Sequence, residues 1–277
     1  MKFLKSITLV ACSFISHIDS HAGLFETVQL SGMYIQWGYN REWYSRSTIH
    51  FKNGNEYDFT LHRAVAKDKP NFDAIVKVPL QISIPQYSYR LGFYLNRERT
   101  QGIDFNFDHT KYVVQDYQQV RMTGFIGDRS YDEYITLNPS FLHFEHTDGA
   151  NFLHFNYFRE FPLVKTRKKS RILLSAIAKA GAGIVVPRTD VTYKGKRLNN
   201  KFHLAGYIIS AETGLRVFPL RDVFFETTLK GGFANYINAL TIEGGSARHH
   251  FFYGEFIGTI GYCIPLSKKP VSTSLLQ

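Results

Sequence analysis

Cysteine is almost missing. Only Cys12 and Cys263 occur in 277 residues. Cys12 falls in a stretch read below as an export leader, so Cys263 stands alone and no internal disulfide is available. An exported chain without disulfides must be held by hydrogen bonding and packing. Long apolar runs are also missing. No segment beyond the N-terminus offers ~18 uninterrupted apolar residues, which argues against a helical membrane span. The chain has no glycine-rich phosphate loop, no nucleophile elbow and no His-Glu-x-x-His pair. The net charge is +10, but no nucleic-acid-binding motif accompanies it, and together with the leader this argues against a nucleic-acid partner. Neither a fixed-period repeat nor a low-complexity linker is present.

Aromatic residues, by contrast, are plentiful: 24 Phe and 17 Tyr, 16% of the chain with Trp. Strands favour aromatics, and membrane interfaces collect them in belts. The mean hydropathy of −0.20 looks soluble, yet a barrel with a polar inside and an apolar outside averages to such a value. The alternation itself is plain. From Gly102 to Tyr112, Ile103, Phe105 and Phe107 fall on one side, and Asp104, Asn106 and Asp108 on the other. A period of two means a strand with one apolar and one polar face.

The N-terminus reads as a signal peptide over residues 1–22. Lys2 and Lys5 supply the charged start, Ser6–Ile18 the apolar stretch, and Ser20-His21-Ala22 the small residues for cleavage. Leu9-Val10-Ala11-Cys12 also resembles a lipoprotein box, with a short apolar stretch before it. Residues 23–264 are then expected to form one outer-membrane β-barrel, and 265–277 a periplasmic tail.

Eight spanning strands are predicted near 31–43, 84–96, 101–112, 151–161, 171–186, 202–217, 222–237 and 249–264. Each is long enough for a tilted crossing of ~9–11 residues. The stretch 171–186 is Ala-rich, but Gly181 and Gly183 argue against a helix there. Links 97–101 and 219–221 are short, whereas 44–83, 113–150, 187–201 and 238–248 are longer. Short periplasmic turns and long external loops are the barrel pattern. The first two long loops should carry extra strands, because Tyr57, Phe59 and Leu61 alternate after Asn53-Gly54-Asn55, and 139–147 is extended. The fold class expected is therefore all-β: a single antiparallel transmembrane barrel of eight strands with extra strands in the external loops. A soluble sandwich would also alternate, but with the apolar face inward. The leader, the aromatics and the loop asymmetry favour the barrel.

Inward positions carry Arg90, Lys179, Arg216 and Lys230 against Asp104, Glu212, Glu226 and Glu255. A narrow barrel can be filled by side chains, and buried ions are tolerated only when paired. A paired structural network is the reading; an ion or proton path is the alternative. Basic clusters at 165–171 and 194–201 are either solvated loops or contacts to anionic lipid head groups.

A polar rim is the candidate site. Asp108-His109-Thr110-Lys111 closes the third strand, and Glu145-His146-Thr147-Asp148-Gly149-Ala150-Asn151 opens the fourth. One external loop joins these strands, so both clusters should meet at the same mouth. Imidazoles and carboxylates suit metal ligation or acid/base work. They equally suit a hydrogen-bonded rim. His109, His146 and Asp148 are the candidate catalytic and metal-binding residues, with Asp108, Lys111, Asn151, Arg188 and Lys230 as binding residues. Of His249-His250, at most one side chain points inward.

Three blocks, Gly102–Lys111, His146–Leu153 and Gly181–Arg188, resemble small outer-membrane barrels related to rhizobial lipid A oxidase. The resemblance implies action on the glucosamine end of lipid A, with oxygen and a divalent metal such as iron. Lipid A deacylase barrels carry a His-x-Ser dyad at a strand end; here the residues are His146-Thr147-Asp148, and the hydroxyl nucleophile of a serine esterase is absent. Two functions stay open: a lipid A-modifying oxidoreductase with a rim site, and a non-catalytic barrel with a structural, adhesion or binding role. The expected partner is outer-membrane lipid and the expected state a monomer.

Overall fold

Alternating residues with one apolar and one polar face form strands whose pairing runs full circle. The computed structural model describes residues 30–70, 86–167 and 171–266. The predicted leader and nearly all of the predicted tail lie outside these residues. In chain order the strands are β1 (Gly32–Tyr44), β2 (Ser47–Asn53), β3 (Tyr57–Ala64), β4 (Ala66–Lys67), β5 (Tyr87–Tyr94), β6 (Gln101–Asp108), β7 (Tyr112–Val114), β8 (Gln119–Ile126) and β9 (Arg129–Thr136). They continue as β10 (Leu142–His146), β11 (Phe152–Lys165), β12 (Ile172–Val185), β13 (Arg188–Tyr193), β14 (Lys196–Phe202), β15 (Gly206–Val217), β16 (Val223–Leu240) and β17 (Ser246–Pro265). Among the described residues no helix forms.

Eight strands pair in the order β1-β5-β6-β11-β12-β15-β16-β17, and β17 pairs back onto β1. That closing pair runs antiparallel from Gly32↔Pro265 to Tyr44↔Tyr253. The all-β antiparallel barrel is thus as the sequence predicts, and the Ala-rich β12 is a strand. Closure leaves no free edge in the wall.

The faces are inverted relative to a soluble protein. Ile35, Phe105, Phe155, Leu229, Phe252 and Phe256 all stand exposed on the outside. Inside, four buried cations (Arg90, Lys179, Arg216, Lys230) meet seven buried carboxylates (Glu42, Asp104, Asp108, Glu160, Glu212, Glu226, Glu255). An apolar belt around a charged, buried interior is the polarity a lipid-spanning barrel requires. It rules out the sandwich alternative, whose core would be apolar.

The interior is layered. Near the short turns, Tyr34, Tyr94, Phe158, Ile177 and Phe224 form a small apolar cluster. Gly92 makes room there, since a Cβ on it would lie 2.1 Å from the Tyr34 ring. Above it lies the ion network. Arg90 Nη1 is 2.7 Å from Glu212 Oε1 and Lys179 Nζ 2.8 Å from Glu226 Oε1. Arg216 bridges Glu226 and Glu160. Higher still, Lys230 is held between Asp108 and Glu255.

At the opposite end from the short turns the chain builds a folded cap. The start of β17 pairs with β2 (Ser246↔Lys52), and β3, β8 and β9 extend that sheet. A second, five-stranded sheet runs β14-β13-β10-β7-β4. Phe51, Phe59, Leu142, Phe144, Val191 and Tyr193 belong to one apolar core in the cap. The extra strands expected in the first two long loops are β2–β3 and β10, joined by others.

Beyond small shifts at strand ends, two segments differ from the sequence reading. The predicted strand 101–112 breaks at Asp108, after which Tyr112–Val114 joins the cap sheet. The predicted loop 187–201 is the hairpin β13–β14. Both differences have one cause. The cap gives these segments pairing partners that a bare barrel rim would lack.

Candidate rim site

The third and fourth wall strands end side by side, with Phe152 opposite Asp108. His109 follows directly, and its N–H donates to the Tyr87 carbonyl at 2.8 Å. It shares parity with the outward Phe105 and Phe107. Its ring stacks on Tyr87 at 4.6 Å and 3°. His109 Nδ1 lies 2.9 Å from Asn151 Oδ1. With the amide oxygen facing the ring, Nδ1 carries the proton and Nε2 keeps the lone pair. Burial first, then the Lys111 charge, lowers the pKa of His109 against the opposing Asn151 bond and Asp148 charge. The imidazole is therefore neutral near pH 7. Burial likewise lowers Lys111.

The segment 147–151 is held in an unusual backbone shape. Gly149 has φ +126° and Asn151, a non-glycine, φ +22°. Strain of this kind persists only where the surroundings fix it. Here Ala150 N–H donates to Thr110 O at 2.9 Å, and Val186 N–H to Asn151 O at 3.0 Å. A Cβ at Gly149 would sit 2.4 Å from Asn151 Oδ1. Glycine thus leaves the Asn151 amide free to reach His109. Asp148 is half-exposed; Arg188 Nη1 stands 3.4 Å from its carboxylate, and Asn199 Nδ2 donates to it at 2.9 Å.

Five sequence-nominated residues therefore gather at the outer rim: His109, Lys111, Asp148, Asn151 and Arg188. Three do not. Asp108 and Lys230 are fully enclosed in the lumen and bonded to each other, which corrects their assignment as binding residues. Asp108 shares parity with Asp104 and Asn106, which turns it inward. His146 is the third. It lies on the inner side, stacked on Tyr236 at 5.1 Å, with neither ring nitrogen bonded. Burial pushes its pKa down to about 3.

His109, His146 and Asp148 do not form one metal shell, because each is held among different neighbours. Among the described residues no group of three His, Cys, Asp or Glu is placed to hold an ion. The divalent metal implied by the resemblance does not fit this trio, and no step is derived through it.

The sequence reading missed Tyr87, Asn199 and a cap ion pair. His143 bonds Glu145 (3.2 Å) and Asp116 (2.9 Å). The Glu145 bond, with Asp116 and against burial, raises His143 to about 9. Burial raises Glu145, but bonds from His143 and Thr147 and the Lys69 charge outweigh it and leave about 2. Alternation of His143 with the inward Phe144 was the available signal. Of the adjacent pair, His249 points in and His250 out, as predicted.

No family model matches the chain, and no curated protein matches its sequence. Among solved structures it is similar to Neisserial surface protein A, at 7% identity and TM-score 0.38, covering 83% of this chain and 96% of that one. It is also similar to OprG from Pseudomonas aeruginosa, at 10% identity and TM-score 0.40, with 86% and 98% covered. The outer membrane protease OmpT from Escherichia coli gives 7% identity and TM-score 0.39, with 87% and 98% covered. Likenesses this distant add no argument; the barrel assignment stands on ring closure and on the polarity of the two faces.

Proposed function

We propose that the chain is an outer-membrane β-barrel of a Gram-negative bacterium whose outer rim binds, and chemically modifies, the sugar-phosphate head group of lipid A. The closed wall with apolar outside and charged inside supports a membrane location. Short turns at one end and a folded cap at the other put the cap outside the cell by the usual barrel asymmetry. The observation that carries the site is the outward stance of His109. It stands on the lipid side of the wall, stacked on an aromatic residue, where the strands leave the membrane. A head group lies at that depth.

The residues present divide the work. Lys111 and Arg188 offer positive charge to a phosphate. Asn151 fixes the His109 tautomer, so that Nε2 is a base for a sugar hydroxyl or for water. The resemblance of three blocks to barrels related to lipid A oxidase is what suggests an oxidative outcome, with oxygen as co-substrate.

The test is mass spectrometry of lipid A from cells with and without the gene, complemented by wild type, His109→Ala or Asn151→Ala. Wild type should shift the lipid A mass. His109→Ala should abolish the shift while the barrel still runs as a folded species on an unheated gel. Identical lipid A masses with and without the gene, with iron and oxygen supplied, would remove the enzymatic reading and leave a non-catalytic barrel.

A further inference from the structure

The rim leaves a buried polar cluster unused. His146 on β10, His249 on β17 and Tyr112 on β7 meet beneath the cap, on the inner side of the wall. All three are buried, with 0%, 3% and 0% exposure. Their ring centroids form a triangle of 5.9 Å (His146–His249), 5.9 Å (Tyr112–His146) and 5.2 Å (Tyr112–His249). Nδ1 and Nε2 of His146 and Nε2 of His249 have no hydrogen-bond partner, and Oη of Tyr112 has only the Ser47 hydroxyl beside it. Ser47 Oγ, 3.4 Å from His249 Nδ1, is the nearby polar group.

Buried polar atoms in a native core are nearly always satisfied, and each exception calls for an explanation. Three orphaned imidazole nitrogens belong to one triangle of rings, and a shared ligand would satisfy them together. The walls of the cluster are aromatic: Phe144 lies 4.9 Å from His146, Tyr236 4.6 Å from His249 and Phe251 4.7 Å from Tyr112. No carboxylate is bonded to either imidazole, and burial outweighs the Glu145 charge on His146, so both rings stay neutral and keep a lone pair.

We propose that His146, His249 and Tyr112 bind one first-row transition-metal ion between the barrel mouth and the cap. Two imidazoles bound to one ion at about 2.1 Å have centroids roughly 4.5–6 Å apart, which the observed 5.9 Å satisfies. Imidazole nitrogen with phenol oxygen suits Cu(II), Fe(III) or Zn(II) rather than Ca(II) or Mg(II). Because β7 and β10 belong to one cap sheet and β17 to the barrel wall, the ion would pin the cap to the wall. The inference is independent of the rim site, which lies on the other face.

The site is enclosed, so the ion is supplied during refolding of the full chain from urea into detergent, with Cu(II) as probe and a chelator-treated sample alongside. After dialysis, wild type should hold one copper per chain, and its electron paramagnetic resonance spectrum should show coupling to two nitrogens. His146→Ala/His249→Ala should lose the ion. His250→Ala and His109→Ala should keep it. Tyr112→Phe should keep nitrogen coupling but lose any phenolate-to-copper absorption. Gel mobility without heating reports folding of each variant. The wild-type spectrum needs no variant: copper well below one per chain, or a spectrum without two-nitrogen coupling, overturns the proposal. So does retention of the same spectrum in the double variant, which would place the ion elsewhere.

Discussion

Replacing Arg216 tests the lumen most sharply. The residue has 0% exposure. Its Nε donates to Glu226 at 2.7 Å, and its Nη1 to Glu160 at 2.9 Å and to the Tyr94 hydroxyl at 2.8 Å. The guanidinium also lies 4.3 Å over the Phe224 ring. Glu226 would survive its loss, because Lys179 stays 2.8 Å away. Glu160 would not; its remaining contact is the Ser175 hydroxyl at 2.7 Å. Removing one partner of a buried pair costs about 3–5 kcal/mol, because the other is left as an unpaired charge. The lumen already holds seven carboxylates against four cations, so losing a cation is the worse direction. Arg216→Met should therefore destabilise by about 3–5 kcal/mol, and Glu160→Gln alone by less. Arg216→Met/Glu160→Gln should recover about 2 kcal/mol of the loss, since the unpaired charge is gone. The assay is urea unfolding in lipid vesicles, read from the fraction of folded species on unheated gels. A loss below about 1 kcal/mol for Arg216→Met, or a double variant no better than the single, would refute the claim that Glu160 is stranded.

Two further outcomes are expected. Leu229 faces outward and Thr228 inward, so Leu229→Arg should cost about 2–4 kcal/mol in the same unfolding assay if it sits near the bilayer midplane; no change would contradict the assigned facing. In the cap, His143 is raised to about 9 and Glu145 lowered to about 2. The His143–Glu145 coupling, which contributes to both shifts, is fully present between the unfolded values, roughly pH 4.5–6.5. It is lost as pH rises through 9 or falls through 2. With both groups partly exposed it is worth about 1 kcal/mol. Hydrogen exchange of β10 should accelerate between pH 7 and pH 10, after correction for intrinsic rates, in wild type but not in His143→Gln.

Most of the wall was legible because its physics is local. A period of two fixes which side chain faces which solvent, and Ser88, Arg90, Glu226 and Lys230 follow it inward. Asp108 was misplaced despite the same signal, because its neighbour His109 drew it into a rim cluster. The cap was harder. Tyr112, Phe144 and His146 alternate like wall residues, but alternation does not say which sheet a strand joins. That choice depends on pairings such as β10 with β13 and β7, set by partners 32 to 51 residues away. The buried meeting of His146 with His249 spans a larger separation still and leaves no local trace. The rim was read better because Asp108 and Phe152 are paired ends of neighbouring wall strands, which brings His109 beside Asn151 across 42 residues.

The central claim is a closed barrel with lipid outside and a packed, charged interior. Spin labels placed singly at positions 225 to 230 on β16, in protein reconstituted into vesicles, test it directly. Collision with dissolved oxygen reports the lipid face, and collision with a water-soluble nickel complex reports aqueous access. The account predicts high oxygen access at 225, 227 and 229, and low access to both reagents at 226, 228 and 230. Oxygen access without a period of two, or nickel access at the inward positions in the folded protein, would contradict it.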